Sequence, residues 1–463
     1  MNTIILKQID AHYGKVIGTE EQILDVWEII SYEKIIKLRY KPRPEKVTFS
    51  LLDRRGNKFP FGLIDFISEK LDKLGYEFET HEIDTKLKIT KEPKINGIVF
   101  EDYQNKVINV AGRNKRGIFI APTASGKSAM AAGIIAKLNF PVTLVTTINK
   151  TIFNQFYKDF CVWFPDIEIG RVGDGYCEIS HITIGLYQSV AKYDLRKYNK
   201  ICNVWIADEI HAASNSLSKI SKQLTNVYYR YGLTATIQKY ENNKQAFLEM
   251  TGNIGSSLKE LEDDVVKSRV VSCDVYMISY LCKEPTGKKY HAVFRNDICL
   301  AEKRNIKLLK AAKFLAIDKD KSVLFLVDEI SQAEQVSFLA TKMGIKNKVA
   351  HGRKGSDINE QIKKSLEDKK IKLVIATGVF KTGTNIVSLD CLVLGSARKS
   401  EISILQSIGR ARRVSEGKDK AIIIDSYDNV IGKQKYHKYF HEYSQKRLEL
   451  YKEKGWFKKR LLL

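Results

Sequence analysis

The chain has 463 residues, which at roughly 150 residues per domain corresponds to about three domains. Hydrophobic residues make up 44% and charged residues 28%, a globular composition that excludes a low-complexity or disordered chain. Lys and Arg number 77 against 54 Asp and Glu, and the net charge of +23 points to a polyanionic partner, nucleic acid before an anionic membrane.

No apolar run approaches the roughly 20 residues that span a bilayer, and residues 1–10 carry no apolar stretch followed by a cleavage site. The seven cysteines are scattered without a C-x-x-C pair. That spacing disfavours a zinc ribbon and a disulfide framework, and it fits reduced, buried thiols. No membrane partner is expected.

Residues 1–95 are close to neutral, with 17 basic and 16 acidic side chains. Within them, residues 31–60 hold nine basic against three acidic, including Arg39, Lys41, Arg43, Arg54 and Arg55. The pattern predicts a small α+β unit: a strand at Val47–Leu52, a turn over residues 53–57 and a helix over Leu63–Leu74. Lys91-Glu92-Pro93 reads as a linker.

From residue 117 onward, short β-rich apolar runs alternate with helical stretches. The runs are Gly117–Ile120, Val142–Thr146, Ile182–Gly185 and Val204–Ala207, then Val323–Val327, Leu373–Ala376, Cys391–Leu394 and Ala421–Ile424. Such alternation implies parallel sheets buried on both faces. Two series imply two α/β lobes joined within residues 237–270. The expected division is an accessory domain over 1–95 that binds DNA, a first lobe over 96–245, a second over 246–431, and a basic, aromatic helical extension over 432–463. That last stretch has ten basic against three acidic residues. Its Lys433, Lys435, Lys438, Lys446 and Arg447 alternate with Tyr436, Tyr439, Phe440, Tyr443, Tyr451 and Trp456. This suits either a nucleic-acid surface or a helix face packed on the second lobe. Residues 280–298, with Pro285-Thr-Gly287 as a turn, read as a surface hairpin, with a place at a strand-separation point as the bolder alternative.

Ala121-Pro-Thr-Ala-Ser-Gly-Lys-Ser128 follows one predicted strand and opens a predicted helix. In that setting small residues let backbone N–H groups close around phosphates at a helix N-terminus. Lys127 would reach the β/γ-phosphates, and the Ser128 hydroxyl would bind Mg²⁺. Ala121 stands where the pattern usually begins with glycine. Asp208-Glu209-Ile210-His211 follows another strand, at the carboxyl end where open α/β sheets place ligands. Asp208 would hold Mg²⁺ through water, and Glu209 would polarise the attacking water. In Gln406-Ser-Ile-Gly409-Arg410-Ala-Arg412-Arg413, the guanidinium forks of Arg410 and Arg413 suit a γ-phosphate. A solvated basic helix is the ordinary meaning of such a cluster.

Taken together, these strings resemble the superfamily 2 helicases in order and spacing, over about residues 100–425. The resemblance implies two RecA-like parallel-sheet lobes in tandem, preceded by the small α+β domain. It implies an ATP hydrolase that uses ATP and Mg²⁺. Gln104 would read adenine, while Pro122, Thr123, Ala124, Ser125, Gly126, Lys127, Ser128 and Gly383 would bind the nucleotide. His211, Thr234, Thr236 and Gln406 would couple hydrolysis to lobe movement. Thr147, Asn149, Lys150, Gln188, His351, Thr377 and Thr382 would contact DNA.

The Asp-Glu-Ile-His string differs from the Asp-Glu-Ala-Asp of RNA-remodelling relatives. The layout looks most like the phage UvsW-type helicases, which unwind branched DNA and drive branch migration. Forked or junction DNA is then the expected substrate, with replication or recombination proteins as partners and the cytoplasm of a host cell as location. The competing readings are an RNA helicase, the motor subunit of a restriction or nuclease complex, and a non-enzymatic binding module. The intact lysine, acidic pair and arginines oppose the last.

Overall fold

The computed structural model describes all residues except 1–2, 37–43, 123–124, 149, 213, 236–239, 242, 262–269, 379–388, 398–400, 416 and 462–463, together with all but the side chains of 212, 214, 356 and 401–403. Its described residues form two compact units, the first ending at Val265 and the second running from Val266. No described helix is long and apolar enough to cross a membrane.

The first unit opens with a four-stranded mixed sheet, in the order Lys58–Pro60, Tyr13–Ile17, Ile4–Gln8, Phe78–His81. Its inward-facing residues alternate along the first strand, where Ile4 and Leu6 are buried and Lys7 is exposed. Helices Glu20–Ile29 and Ile64–Lys73 cover it, the former started by a Thr19–Gln22 capping box. An antiparallel pair, Ser31–Ile36 with Glu45–Ser50, stands beside this sheet. The apolar core of this region takes in Leu248 from a later helix, so it is not an independently packed domain. Gly62 lies against that helix, and a Cβ there would collide with the carbonyl oxygens of Thr251 and Gly252. The linker is pinned as well: Leu87 N–H donates to the Tyr229 hydroxyl at 3.0 Å, and Lys137 Nζ donates to the Lys91 carbonyl at 2.8 Å.

The larger sheet of this unit has eight strands, parallel except for the antiparallel edge pair Ile169–Gly173 and Tyr176–Glu178. Strand Tyr229–Thr234 lies between Val204–Asp208 on one side and Arg116–Ile120 on the other. The sheet does not stop at residue 245. Strand Ser257–Glu260 pairs with Ile118–Ile120, and helix Lys244–Ile254 contributes Met250 and Ile254 to the core. The expected lobe boundary therefore moves about twenty residues later, to the junction near Val265.

The second unit carries seven parallel strands, in the order Asn347–Ala350, Leu373–Ala376, Val323–Leu326, Cys391–Leu394, Lys420–Val430, Ser272–Cys282, Phe457–Leu461. Apolar clusters occupy both of its faces. Residues 280–298 do not form a hairpin. The strand ends at Cys282, and the Thr286 and Gly287 N–H groups donate to the Asp297 carboxylate at 2.9 and 3.0 Å. That bond set folds the chain into helical turns over residues 290–299.

Residues 432–463 are likewise no appended extension. Helix His437–Glu453 packs on the long strand Lys420–Val430, and Phe457–Leu461 completes the sheet as an edge strand. Phe440, Tyr451 and Trp456 are core residues. Arg447 is buried, and its Nε donates to Asp425 Oδ2 at 2.8 Å, where the Tyr451 hydroxyl also donates at 2.8 Å. A second buried pair joins Arg304 Nε to Asp428 Oδ1 at 2.7 Å. Burial pushes the Asp428 carboxyl up, but Arg304, Arg447 and the Ser426 hydroxyl together outweigh it and hold the group below the usual carboxylate range. Arg447→Ala leaves Asp425 buried without its cation, which costs about 3–5 kcal/mol. The expected result is a lower melting temperature in calorimetry, with nucleic-acid affinity of the folded fraction unchanged.

Candidate active site

Three strand ends converge on one site in the first unit. Strand Arg116–Ile120 delivers the loop from Ala121, whose N–H donates to the Thr234 carbonyl at 2.8 Å. The loop enters helix Lys127–Lys137 through Gly126 at φ +79°, a left-handed conformation that glycine adopts without Cβ strain. Lys127 stands in the first helical turn. Its Nζ lies 3.4 Å from Glu209 Oε1 and 3.4 Å from the Ala121 carbonyl.

Strand Val204–Asp208 delivers the acidic pair. Asp208 is buried; the Thr147 hydroxyl donates to its Oδ2 at 3.2 Å, while Oδ1 is buried with no protein partner. The Tyr187 hydroxyl donates to the Asp208 carbonyl at 2.8 Å. Burial first, and the neighbouring Glu209 second, push the Asp208 carboxyl up to about 7 against the pull of Lys127. Glu209 adopts φ +50°, rare for a side chain with a Cβ, and its N–H donates to the Leu233 carbonyl at 2.7 Å. His211 Nδ1 lies 2.8 Å from Thr234 Oγ1 and 3.3 Å from Glu209 Oε2. Burial lowers the His211 pKa, so the ring is neutral at pH 7. His211 thus bonds to the strand end at Thr234 and lies within ion-pair distance of Glu209.

The buried, unpartnered Asp208 Oδ1 is the feature that fits a hydrated Mg²⁺, since a carboxylate oxygen is the hard donor that such a shell takes. Ser128, in the first turn of the loop's helix, is the other predicted donor.

The remaining predicted residues divide. Thr147 is no surface contact: it is buried and supports Asp208. Gln104 is also buried and closes a capping box, its Oε1 accepting from Glu101 N–H at 3.1 Å. Lys150, exposed, pairs with Asp174, and Gln188 is exposed just beyond the strand Ile182–Leu186. Pro122 and Gly126 are half-buried, and Ser125 is buried. Thr123, Ala124, Asn149, Thr236, Thr382 and Gly383 lie outside the described residues, as do Arg39, Lys41 and Arg43.

In the second unit, His351 and Thr377 are buried at the ends of strands Asn347–Ala350 and Leu373–Ala376. Helix Glu401–Ala411 carries Gln406, half-buried, and Arg410, buried. Arg412 is structural: its Nε donates to the Val271 carbonyl at 2.9 Å, and its guanidinium lies 4.9 Å from the Trp456 ring centre. Arg413 differs, with Nη1 buried and unpartnered. Sequence reasoning missed Lys418. Its buried ammonium, held down to about 8 by desolvation, donates to the carbonyls of Leu389, Ala411 and Arg413 and so secures the end of the arginine helix. It missed Tyr187 as well, although Tyr187 stands next to the predicted Gln188.

Two family descriptions match the chain in tandem. That of the type III restriction enzyme res subunit covers residues 97–239, and that of the helicase conserved C-terminal domain covers 305–415. This tandem is that of the superfamily 2 helicases, which the chain resembles. Among its relatives is the ATP-dependent DNA helicase uvsW of Enterobacteria phage T4, 25% identical over 408 residues, 80% of this chain and 79% of that one. The DNA 3'-5' translocase XPB2 of Sulfurisphaera tokodaii is 21% identical over 367 residues, covering 71% and 81%. The solved structure of S. cerevisiae Dbp5 bound to RNA and ADP BeF3 shares the fold, with a TM-score of 0.53 at 14% identity over 78% of this chain and 89% of that one.

The raised Asp208 pKa is a statement about stability. Between about 3.8, its ordinary value, and about 7, its folded value, the folded chain holds the extra proton, so stability falls as pH rises through that window. Asp208→Asn removes the buried charge. Without nucleotide or Mg²⁺ it is expected to melt about 2–4 °C above the parent at pH 8, with a smaller gap at pH 5. A variant that melts lower at pH 8 would contradict this account.

Proposed function

We propose that this chain is an ATP-dependent DNA helicase or translocase that works on forked and junction DNA. The observation that carries it is the convergence of Lys127, Glu209 and the unpartnered Asp208 carboxylate at adjoining strand ends. Relatives named as DNA helicase and DNA translocase, matched over most of their length, support DNA as the strand acted upon.

In this reading the loop N–H groups and Lys127 hold the β/γ-phosphates of ATP. Asp208 and Ser128 would hold a Mg²⁺ ion, which would supply neutralisation of phosphate charge. Glu209 orients and polarises the attacking water; its left-handed backbone aims the carboxylate at the Lys127 side of the site. Neutral His211, bonded to Thr234 Oγ1, carries the state of the acidic pair to the end of strand Tyr229–Thr234. Arg413, with a buried donor unspent, supplies the guanidinium that meets charge developing on the γ-phosphate.

Glu209→Gln is expected to keep nucleotide affinity and slow turnover by roughly 10²–10⁴, the range for a positioned general base. ATP-binding titrations beside steady-state hydrolysis check this, and near-normal turnover removes Glu209 from the role.

Arg413→Ala is expected to leave ATP binding within a few-fold and lower DNA-stimulated hydrolysis by roughly 10³–10⁵. Arg413→Lys rescues poorly, because an ammonium lacks the planar fork. Single-turnover hydrolysis on single strands, forks, four-way junctions and RNA duplexes tests both the arginine and the substrate. Stimulation greater by RNA than by any DNA would overturn the DNA assignment.

A further inference from the structure

The helix Glu401–Ala411 ends against a buried lysine, Lys418, which is 8% exposed. A helix ends with backbone carbonyls that have no partner of their own, and its dipole favours a cation there. Here the cation comes from beyond the helix. After Arg413 the chain turns back, with the Lys418 N–H donating to the Ser415 carbonyl at 3.1 Å. Gly417 takes a left-handed φ of +71° in that turn, which glycine does without Cβ strain.

An ammonium has three donors, and Lys418 gives all three to backbone carbonyls. One accepts from Ala411, the last residue of the helix; one from Leu389, just before strand Cys391–Leu394; and one from Arg413, at 3.1 Å. The lysine thus ties the end of the arginine helix to the middle strand of the second sheet. Asp390, beside it, is engaged elsewhere, accepting from the Ser322 N–H and hydroxyl at 2.9 and 3.0 Å.

A neutral glycine or asparagine cap would end the helix without burying a charge. Lys418 also repels the nearby Arg413. What this costly arrangement secures is the Arg413 backbone. Lys418 holds the carbonyl of Arg413 on one side. On the other, Arg413 bridges to Val270, and the Val271 N–H donates to the Arg412 carbonyl at 2.6 Å. The Arg413 side chain keeps its buried Nη1 without a partner. Its backbone is pinned on both sides while part of its fork is unspent.

We propose that Lys418 is a positioning residue for ATP hydrolysis, whose ammonium fixes the Arg413 backbone so that the guanidinium is aimed at the γ-phosphate. This rests on Arg413 acting at that phosphate, and it adds a second cation behind the first. The charge matters to the hold, because bonds from a charged donor are roughly twice as strong as neutral ones. Burial first holds the Lys418 pKa down to about 8; Lys321 and Arg413 pull the same way, while Asp390 and Cys391 oppose them. As pH rises through that value the group loses its charge and one donor, and the hold on Arg413 weakens.

The test measures single-turnover hydrolysis with DNA bound, beside ATP-binding titrations, in the full chain. The variants are Lys418→Met, Arg413→Ala and the two combined. Lys418→Met is expected to keep ATP affinity within a few-fold and slow hydrolysis by about 10², the cost of a misplacement of about 1 Å. The double variant is expected to be no slower than Arg413→Ala alone, because both changes remove one function. Where Lys418→Met does not fold, the parent chain decides. Its hydrolysis rate is expected to fall as pH rises through about 8 while ATP affinity holds, and Arg413→Ala is expected to lack that alkaline limb. Normal hydrolysis by Arg413→Ala overturns the role of the arginine, and this proposal with it. With Arg413→Ala slow, three results overturn the proposal alone: a parental rate in Lys418→Met, losses that multiply in the double variant, or an alkaline limb that persists in Arg413→Ala.

Discussion

Two carboxylates and one ammonium, held at adjoining strand ends, set the terms for the rest of the first unit. Asp208 and Glu209 repel each other in a buried place, and Lys127 lies within 4 Å of Glu209. Leaving Asp208 charged there is costly without a further cation. The fold accepts that cost at the residue where a metal would remove it. It adds a second cost at Glu209, whose left-handed backbone is worth roughly 1–3 kcal/mol of strain. The Leu233 carbonyl, bonded to Glu209 N–H, and the Tyr187 hydroxyl, bonded to the Asp208 carbonyl, hold the turn in place. Strand order explains why this works. Tyr229–Thr234 lies between the strands bearing the loop and the acidic pair, so the Ala121 and Glu209 N–H groups both bond to its end.

The motifs were legible because phosphate and acid chemistry sits where a strand stops, and strand stops leave signals in the sequence. Gly126 is needed for a left-handed residue at the helix start, and an apolar run precedes both Ala121 and Asp208. The edges of the architecture were less legible for equally physical reasons. Ser257–Glu260 is four residues long, with its two ends exposed and none of it buried, so it has neither the apolar run nor the alternation that marks a strand. Thr147 looks like any polar residue at a strand end, and only the neighbouring strand shows that its hydroxyl supports Asp208. In residues 280–298 the chain does break from its strand near Pro285-Thr-Gly287. The Asp297 carboxylate, ten residues further along, decides the path of the chain beyond that point, and local pattern does not carry that information.

The N-terminal and C-terminal regions went the same way. Each resembles an appendage in its charge and its distance along the chain. In the structure, Leu248 belongs to the N-terminal core and Tyr451 to that of the second sheet. Long-range burial makes both integral, and composition cannot see burial.

That difference refines what the positive charge means. Arg230, Arg304 and Arg447 are all buried, and their donors are taken by backbone carbonyls, hydroxyls and aspartates. Arginine can do this because its five donors point along fixed directions and the group stays charged when desolvated. Lysine, a compact and strongly hydrated charge, remains mostly outside, with Lys137 and Lys418 as buried exceptions. Lys433, Lys435, Lys438, Lys446, Lys458 and Lys459 are all exposed, while Arg447 among them is buried. The surplus that faces a polyanion is therefore mainly lysine, which contacts phosphates as a mobile point charge and suits binding without sequence preference. The buried arginines do a different job. They hold elements together: Arg230 donates to the Leu224 carbonyl just past helix Ser214–Gln223, and Arg447 joins helix His437–Glu453 to strand Lys420–Val430.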